Sequence, residues 1–466
     1  MKATKIVATI GPATESIETL TRLIKAGMNV ARFNTKHSTP EWHSERIKRV
    51  KKIAQELNSS VGILVDLQGP EIRIELPEEK PFTIDKDQKI IFTSDRNQTT
   101  GNIAYIPQEV IKYISKGHLI LLDDGACEFL VSKIDNNSIY AQATSSCKVG
   151  HRKTMNTPGT ILGMPSITDR DRNYLDNIDA ELIDFVGLSF VRDVTDINNL
   201  KQEMDERNIE AAIVSKIENQ AALDNIDEII KNSDAIMIAR GDLGVEVEYQ
   251  QLVHWQKEII NKCLSAAKPV ITATQMLKSM VDNPRPTRAE VSDVAHAIYD
   301  GTDAVMLSEE TTIGKYPVEA VEVQAEIALY NEDKAIHELK WPRNTDSSLN
   351  VTSSAANLLF HSQQKIDKIV CFTETGRTAR LISRFRPKQP IYTVTHIPQV
   401  YRQLALTYGV KPFLIDFPDG SVAINPELVK KFEDKGIVKR GETVLFIYGT
   451  LWKKPGLTNT LSLIKA

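Results

Sequence analysis

Three short segments place charged and hydroxyl side chains beside apolar runs. They are S-K-I-E-N (Ser215–Asn219), A-R-G-D-L-G (Ala239–Gly244) and T-A-T-Q-M-L (Thr272–Leu277). Because side chains alternate along a strand, Lys216 and Glu218 point the same way. Two carboxylates at neighbouring strand ends, Glu218 and Asp242, can hold a divalent cation through oxygen ligands. The pattern therefore predicts chemistry on an anionic substrate, with Lys216 beside a bound metal ion.

The elements that must position these residues repeat along the first three quarters of the chain. Stretches long enough for a helix separate most of eight apolar runs, which indicates parallel strands closed into a (β/α)8 TIM barrel. The runs are Ile6–Ile10, Asn29–Asn34, Gly62–Leu67, Ile183–Phe190, Ala211–Ile217, Ala235–Ala239, Pro269–Thr274 and Ala304–Leu307. One helix start is well marked, since Thr287 and Glu290 form a capping box pattern and the helix should end near Gly301.

The third and fourth runs are too far apart for one strand–helix unit. Short alternating runs and turn residues between them predict an inserted small β-barrel lid domain at residues 74–156. It leaves from the barrel face that carries active sites, so it could close over that face and exclude water. The barrel is then split into residues 1–73 and 157–335.

The chain changes character after the barrel. Residues 341–350 are polar and predict a linker, and α/β alternation resumes over residues 350–466. Strands are expected at Lys368–Thr373, Ile391–Thr395 and Thr443–Tyr448. We therefore expect an open α/β domain at the C-terminus.

Composition narrows the class of protein. The 466 residues are enough for about three domains, and a net charge of −4 gives no reason to expect nucleic-acid or membrane binding. No run of about 18 apolar residues predicts a membrane span. The four cysteines form no C-x-x-C pair, which is typical of reduced cysteines in a cytoplasmic protein.

The ends of the predicted barrel strands supply polar side chains to one face. They are Arg32, Asn34, Asp66, Lys216, Glu218, Asp242, Thr274 and Ser308, with Arg73 shortly after the third strand. The geometry of a barrel makes these residues converge. Two arginines, a lysine and a metal site indicate a clamp for a phosphorylated, carboxylated metabolite.

The chain resembles the pyruvate kinase family over almost its whole length. The matching segments, besides the first three, are Thr4–Thr14, Met28–Asn34, Gly69–Arg73, Asn283–Glu290 and Met306–Thr311. The resemblance implies transfer of a phosphoryl group from phosphoenolpyruvate to ADP, giving pyruvate and ATP. It also implies Mg²⁺ or Mn²⁺ as cofactor and a homotetramer.

The resemblance also implies a role for each matching residue. Glu218 and Asp242 would hold the divalent cation, Lys216 and Arg32 would stabilise the transferring group, and the Gly241 and Asp242 amides would bind the substrate carboxylate. Thr274 and Ser308 lie where the family protonates the enolate. Arg73, His37, Asn34 and Lys153 would line the nucleotide phosphates.

One stretch departs from the family. Its usual R-x-N-x-S-H motif reads Arg32-Phe33-Asn34-Thr35-Lys36-His37, so a lysine replaces a serine that helps to bind a monovalent cation. Asn34, Asp66 and the Leu67 carbonyl remain, and Glu71 matches potassium-dependent members. Our hypothesis is that the Lys36 ammonium occupies or neighbours the potassium position, which leaves the K⁺ requirement open.

A second loop lies in the C-terminal domain. Thr373-Glu374-Thr375-Gly376-Arg377-Thr378 joins a strand to a helix and resembles the family's effector-phosphate loop, and Trp452–Thr460 resembles the segment that closes over it. Glu374 stands where strongly fructose-bisphosphate-activated animal forms have lysine. We expect a sugar monophosphate or nucleotide effector, or none, rather than tight fructose-1,6-bisphosphate activation.

Two other functions remain open from the residues alone. Another metal-dependent barrel enzyme acting on phosphoenolpyruvate or pyruvate, such as an aldolase or mutase, would also use Glu218 and Asp242. Such an enzyme would not need the lid, Arg73 or Lys153. A non-catalytic relative is the second alternative, and the intact Lys216, Glu218, Asp242 and Thr274 argue against it.

Overall fold

The computed structural model describes residues 2–335, 346–416, 420–421, 424–453 and 456–466. Residues 341–345 of the predicted linker at residues 341–350 therefore lie outside the described residues, as do residues 454–455 of the segment predicted to close over the effector loop. The linker prediction is wrong for residues 347–350, which form the first turn of a helix capped by Asp346. The chain opens with three parallel strands and two helices. They are β1 (Lys5–Thr9), α1 (Ile17–Ala26), β2 (Val30–Asn34), α2 (Pro40–Glu56) and β3 (Gly62–Asp66).

The insertion after β3 is a small β domain. Its elements are β4 (Phe82–Ile84), β5 (Lys89–Thr93), β6 (Ile103–Tyr105), α3 (Gln108–Ile111), β7 (Leu119–Leu122), β8 (Cys127–Ile134), β9 (Ser138–Ala143), β10 (Cys147–Val149) and β11 (Met155–Asn156). Six strands pair in the order β11-β7-β8-β9-β5-β6, and β4 pairs with β10. The domain has a separate hydrophobic core in which Phe92 packs edge-on against Phe129.

The chain then returns to the barrel for five more strands. The elements are α4 (Asp169–Asn177), β12 (Phe185–Leu188), α5 (Val194–Asp205), β13 (Ala212–Ile217), α6 (Gln220–Asp224), α7 (Ile226–Asn232), β14 (Ala235–Ala239), α8 (Arg240–Glu246), α9 (Leu252–Ala266), β15 (Val270–Ala273), α10 (Arg288–Asp300), β16 (Ala304–Leu307), α11 (Glu309–Thr312) and α12 (Pro317–Asn331). The capping box at Thr287 and Glu290 and the left-handed Gly301 at the end of α10 are confirmed.

The first three strands of the chain and the five that follow the insertion close into a parallel barrel, in the order β1-β2-β3-β12-β13-β14-β15-β16. Strand residues of one parity point inward, where Val7, Leu64, Val214 and Met237 belong to one buried cluster. Residues of the other parity pack under the helices in a larger cluster. The predicted TIM barrel with an inserted β domain is confirmed, and it brings every strand's carboxyl end to one rim.

The C-terminal domain is an open α/β sheet with more strands than predicted. Its elements are α13 (Ser347–His361), β17 (Lys368–Phe372), α14 (Arg377–Ser383), β18 (Ile391–Thr395), α15 (Pro398–Gln403), β19 (Val410–Leu414), β20 (Gly420–Ser421), α16 (Pro426–Asp434), β21 (Thr443–Tyr448), β22 (Leu451–Trp452) and β23 (Thr460–Lys465). Five strands form the sheet β19-β18-β17-β21-β23. The two edge strands escaped the sequence analysis because edge positions tolerate polar residues and proline, as in Val410–Leu414.

Across the part of the chain that the structure describes, every helix is too short or too polar to cross a bilayer. The placing of domain boundaries at residues 73, 156 and 335 stays a prediction.

Candidate functional site

Lys216 lies at the centre of the barrel rim. Its Nζ atom is 2.8 Å from Glu218 Oε1 and 3.4 Å from Asp66 Oδ1, and it donates a hydrogen bond of 2.7 Å to Ser189 Oγ. Burial by itself would lower the pKa of Lys216, but the charges of Asp66 and Glu218 outweigh it and raise the pKa. The side chain is therefore a permanent, nearly buried ammonium ion.

Glu218 follows β13 directly, so its carboxylate shares a face with Lys216 as the strand period requires. Glu218 is 1% exposed, and its Oε2 accepts a hydrogen bond of 2.6 Å from the Phe190 amide. The other oxygen, Oε1, has no hydrogen-bond donor in the described residues and meets only the Lys216 charge. One oxygen of this buried carboxylate is thus available to a cation.

Asp242 brings the second carboxylate from the short helix α8, which begins where β14 ends. Burial, and then the neighbouring charge of Glu218, raises the pKa of Asp242 to about 7. The charges of Glu218 and Asp242 therefore act on each other. The two carboxylates carry two negative charges against the single charge of Lys216, so the site has the excess negative charge that favours a divalent cation.

Glu218 and Asp242 suit a magnesium ion that takes some of its ligands from the substrate. Within the described residues, no group of three or more His, Cys, Asp or Glu side chains forms a complete metal cage. Mg²⁺ characteristically uses one or two carboxylates and takes its other ligands from water and substrate phosphate. Glu218 and Asp242 would hold the ion, which when bound would neutralise negative charge on a phosphorylated ligand.

The raised pKa of Asp242 predicts a pH-dependent metal affinity. Below about pH 7 a proton occupies this carboxylate and must leave before the cation binds, so affinity should fall with falling pH. One competing proton sets the limit at about tenfold per pH unit. Calorimetric titration of Mn²⁺ at pH 8, 7 and 6 measures this change, and equal affinities at all three values would contradict it.

Arg32 is fixed by the same carboxylate that touches Lys216. Its Nε donates to Asp66 Oδ2 at 2.7 Å, and its Nη1 donates to Thr9 Oγ1 at 2.9 Å. Burial alone would raise the pKa of Asp66, but the Lys216 and Arg32 charges outweigh it and lower the pKa. Asp66 therefore stays ionised and sets the spacing between two cations at the rim.

The turn after β15 positions Thr274 against the start of α8. The Gly241 amide donates to Thr274 Oγ1 at 2.7 Å, and a Cβ atom on Gly241 would lie 3.4 Å from that oxygen. Thr274 has φ 67° and Gln275 has φ 56°, a left-handed conformation that is costly for non-glycine residues. Such strain persists where surrounding contacts impose it, and it is common at functional sites.

Two buried charged residues, Arg240 and Glu310, hold this turn. Arg240 donates to the Thr274 carbonyl at 2.8 Å and forms a two-point contact with Asp293, both bonds measuring 2.7 Å. Glu310 accepts the Leu277 amide at 3.0 Å and the Ser308 amide at 2.8 Å. Glu310 thereby joins the turns after β15 and β16 and holds Ser308 on the rim.

Lys36 pairs with Glu71 at the edge of the site. Its Nζ donates to Glu71 Oε1 at 2.7 Å, and Arg73 Nη2 donates to the same oxygen at 3.1 Å. Asn34 Oδ1 accepts the Lys36 amide at 3.1 Å, and the Leu67 carbonyl accepts Ser189 Oγ at 2.7 Å. A lysine ammonium therefore already neutralises part of the charge that Glu71 brings to this region.

His37 lies among positive charges. Burial first, and then Lys36 and Arg73, lower its pKa. The ring is therefore neutral at physiological pH and can accept or donate a hydrogen bond without adding charge. The grouping of His37 with Arg73 at the nucleotide phosphates stays a prediction.

The lid joins the barrel through two short hinge segments. The Met155 amide donates to the Ile72 carbonyl at 2.9 Å, and Arg73 donates to the Arg152 carbonyl at 2.6 Å. Asn156 also donates to Glu246 on α8 at 3.3 Å. Lys153 pairs with Asp123 of the lid at 2.9 Å.

The predicted effector loop lines a second cavity in the C-terminal domain. Thr373, Glu374, Thr375, Arg377 and Thr378 border it together with Trp452, Leu457 and Thr458. Thr378 Oγ1 lies 2.7 Å from Thr458 Oγ1, which ties the loop to the segment expected to close over it. Glu374 contacts His396 at 3.3 Å, so an acidic side chain occupies the cavity wall. Gly376 has φ 77°, a conformation that suits glycine.

Several contributors to the rim were absent from the sequence prediction. Ser189 and the Phe190 amide follow β12, where the prediction named no residue, although a hydroxyl after an apolar run was visible there. Arg240 lies inside the quoted A-R-G-D-L-G segment and Glu310 directly follows Ser308, but sequence gives no sign of the partners that they contact.

The chain matches two family models, which are described as the barrel domain and the alpha/beta domain of pyruvate kinase. The first covers residues 1–321 and the second residues 350–464. It is 41% identical to a pyruvate kinase of Bacillus licheniformis, over 99% of this chain and 80% of the relative. It is 40% identical to one of Clostridium acetobutylicum, over 99% of both chains.

A solved structure shows the same similarity in three dimensions. The crystal structure of a pyruvate kinase from Cryptosporidium parvum superposes with a TM-score of 0.87 at 32% sequence identity. The match covers 100% of this chain and 96% of that chain. The similarity therefore spans the barrel, the insertion and the C-terminal sheet.

Proposed function

The chain belongs to the pyruvate kinase family and converts phosphoenolpyruvate and ADP to pyruvate and ATP, and we propose that Lys216, Glu218 and Asp242 carry this phosphoryl transfer. The observation that supports these roles is the contact of 2.8 Å between the Lys216 ammonium and Glu218, with Asp242 beside them. Phosphoryl transfer needs positioning and neutralisation of negative charge rather than covalent chemistry from the protein.

The proposed roles follow from the charges. Lys216 and Arg32, held apart by Asp66, stabilise the transferring phosphoryl group from two directions, and Lys216 also faces the developing enolate. Glu218 and Asp242 hold Mg²⁺ or Mn²⁺. The Gly241 and Asp242 amides at the start of α8 bind the substrate carboxylate, after the Gly241 amide exchanges Thr274 Oγ1 for it. Thr274 and Ser308 line the route by which a proton reaches the enolate.

The nucleotide is proposed to bind on the lid side of the rim. Arg73, His37 and Asn34 lie together there and would face the ADP phosphates. Lys153 would join them when the lid closes, after exchanging Asp123 for a phosphate. A second Mg²⁺ would arrive with the nucleotide. An aldolase or mutase is the competing reading, so pyruvate formation that needs ADP supports the proposal, and ADP-independent turnover of phosphoenolpyruvate would contradict it.

A second cofactor question is whether the chain requires K⁺, and Lys36 is the residue that affects this requirement. We propose that the Lys36 ammonium replaces the monovalent cation, because it already lies 2.7 Å from Glu71 and occupies the motif position of a cation-binding serine. Tetramethylammonium in place of potassium should then leave the initial rate unchanged within about twofold, which is below 0.5 kcal/mol in barrier.

The matched variant is Lys36→Ser, which restores the family's usual side chain. We expect it to need potassium, with at least about tenfold activation, since Glu71 would otherwise keep only Arg73 of its two cations. A coupled assay of pyruvate formation, run with and without potassium on both proteins, measures this. Strong potassium activation of the unmodified chain would reject the proposal.

The effector is proposed to be a ligand with one phosphate, or to be absent. Glu374 would repel a second phosphate at the loop, because its carboxylate lines the cavity wall beside His396. We therefore expect no saturable activation by fructose-1,6-bisphosphate at micromolar concentration, and Glu374→Lys should increase the response. Rate measurements across that concentration range decide the matter, and tight activation of the unmodified chain would contradict the expectation.

The assembly is proposed to be a cytoplasmic homotetramer. Tyr249 and Val253 on the barrel are 86% and 72% exposed, and β23 leaves an open sheet edge in the C-terminal domain. Such surfaces suit contacts between copies. The four free cysteines support a reducing compartment. Light scattering on the purified chain tests the assembly, and a monomer would contradict it.

A further inference from the structure

A small cleft between the barrel and the C-terminal domain is lined by four positive side chains and one negative side chain, Asp303, among apolar and small residues. Lys268 comes from the barrel after α9, while Arg380, Arg384 and Arg386 come from α14 and the residues that follow it. The cleft holds about 180 Å³ of atom-free space, a volume that includes some of the open solvent at its mouth. None of these four side chains lines the cavity of the effector loop, and none has a role at the rim.

Arg386 shows how a buried arginine in this region is normally satisfied. Its Nη2 pairs with Asp303 Oδ2 at 2.9 Å and donates to the Gly301 carbonyl at 2.7 Å. Asp303 also accepts the amides of Tyr408 and Val270, at 3.0 and 3.1 Å. The carboxylate that borders the cleft is therefore fully committed to Arg386 and backbone groups.

Arg384 lacks such partners. It is 9% exposed, yet its Nε and Nη2 atoms are buried without a hydrogen-bond acceptor among the described residues. Its Nη1 makes one long bond of 3.3 Å to the Ser265 carbonyl near the end of α9, and the guanidinium lies 4.7 Å from the Phe385 ring centroid. These two contacts offset a fraction of one charge.

Arg380 is the second arginine of the cleft without an ion pair. Asp234 acts on it electrostatically, but the two side chains form no salt bridge within the described part of the chain. The Asp234 carboxylate instead accepts the Ile213 amide at 2.9 Å. Burial lowers the pKa of both arginines, which reflects a cost of keeping these charges from water. An arginine stays protonated, so this charge needs a counter-ion.

Arg380 also links the cleft to the effector loop. A Cβ atom on Gly376 would lie 2.7 Å from Arg380 Nη1, so the guanidinium packs directly under that loop. Lys268 on the opposite wall donates to the Ser233 carbonyl at 2.5 Å, which fixes its ammonium in the barrel. An anion between these side chains would add a further bridge between the two domains, beside the contacts of Arg386 with Asp303 and Gly301.

We propose that this cleft binds a phosphate-sized oxyanion between Arg380, Arg384 and Lys268. A tetrahedral oxyanion offers several acceptors to the two unpaired guanidinium groups, whose planar forks suit phosphate oxygens. The cleft is smaller than the roughly 300–1,000 Å³ of pockets that enclose whole metabolites. The ligand is therefore inorganic phosphate, or the phosphate of a molecule whose remainder stays outside.

The test is the thermal midpoint, Tm, of the full chain titrated with sodium phosphate at constant ionic strength held by sodium gluconate. Phosphate that binds the folded chain should raise its Tm in a saturable way. Arg384→Met should lose part of this rise while starting from a Tm no lower than that of the unmodified chain, because it removes an uncompensated charge. Lys388→Met, which removes an exposed charge four residues further on, should keep the full rise.

Further variants separate this site from the effector loop and from misfolding. Arg377→Met should lose any rise due to the effector loop and keep the component that Arg384→Met removes. Arg380→Met repeats the test if Arg384→Met fails to fold. Glycerol phosphate in place of phosphate tells a free anion from a phosphate group on a larger molecule. Equal phosphate responses in Arg384→Met, or in Arg380→Met, and the unmodified chain would overturn the proposal.

Discussion

Lys216→Met is expected to abolish pyruvate formation. The substitution removes the one ammonium ion that contacts both Asp66 and Glu218, and with it the fixed positive charge next to the transferring phosphoryl group. Loss of a single cation that stabilises such a transfer costs roughly 10³- to 10⁵-fold in turnover. The measurement is the turnover number at saturating phosphoenolpyruvate, ADP and Mg²⁺, in an assay coupled to pyruvate reduction.

Two further variants keep this result from reflecting misfolding. Lys216→Met leaves the buried Glu218 without its cation and Asp66 with Arg32 alone, so its Tm should fall and partly recover when Mg²⁺ is added. Lys216→Arg preserves the charge and the fold, yet it should still lose most activity because a planar guanidinium cannot replace a compact ammonium. Lys262→Met on α9 removes a lysine far from the rim and should remain fully active. Near-normal turnover in Lys216→Met would remove Lys216 from the mechanism.

Glu218→Gln is expected to raise the Mg²⁺ concentration needed for half-maximal activity by roughly 10- to 100-fold. Substitutions that merely support a metal ligand already cost that much, and this one replaces a carboxylate ligand itself. Glutamine retains the shape and can still accept the Phe190 amide, so the fold should persist. The measurement is a Mg²⁺ titration of the initial rate at constant phosphoenolpyruvate and ADP.

Glu246→Gln is the matched control for that titration. Glu246 is also a carboxylate on the rim side of the barrel, on the same short helix as Asp242, and burial raises its pKa too. It contacts Asn156 of the lid rather than Glu218. Its substitution should leave the Mg²⁺ titration unchanged. If Glu218→Gln shows the same Mg²⁺ requirement as the unmodified chain, Glu218 is not a metal ligand.

The strand pattern was enough to predict the barrel and the Lys216–Glu218 pair. The period of two along β13 places both side chains on one face whatever the rest of the chain does. The long separation between the third and fourth runs likewise required an insertion. These features depend on local geometry and on chain connectivity, which a single sequence carries in full.

The contacts around Asp66 could not be derived in the same way. Asp66 was expected near the monovalent-cation region, and the structure also places it between Arg32 and Lys216. Strand β12 separates β3 from β13 in the barrel, so this contact depends on strand tilt and on side-chain length. The pairing of Arg240 with Asp293 and of Lys153 with Asp123 depends on tertiary packing in the same sense.

The C-terminal sheet shows a different limit. The central strands β17, β18 and β21 are apolar and were predicted, whereas the edge strands β19 and β23 were not. An edge strand is half exposed and can carry lysine, proline or serine without cost to the core. Whether such a strand pairs with the sheet depends on the adjacent strand rather than on its own sequence.

The most direct test is to locate the divalent cation. Crystals of the chain grown with Mn²⁺ and phosphoenolpyruvate would give an anomalous difference peak at the ion. We predict one peak coordinated by carboxylate oxygens of both Glu218 and Asp242, with the Lys216 ammonium beside the phosphoryl group. A peak that contacts neither carboxylate, or a Lys216 side chain turned away from the substrate, would contradict the account.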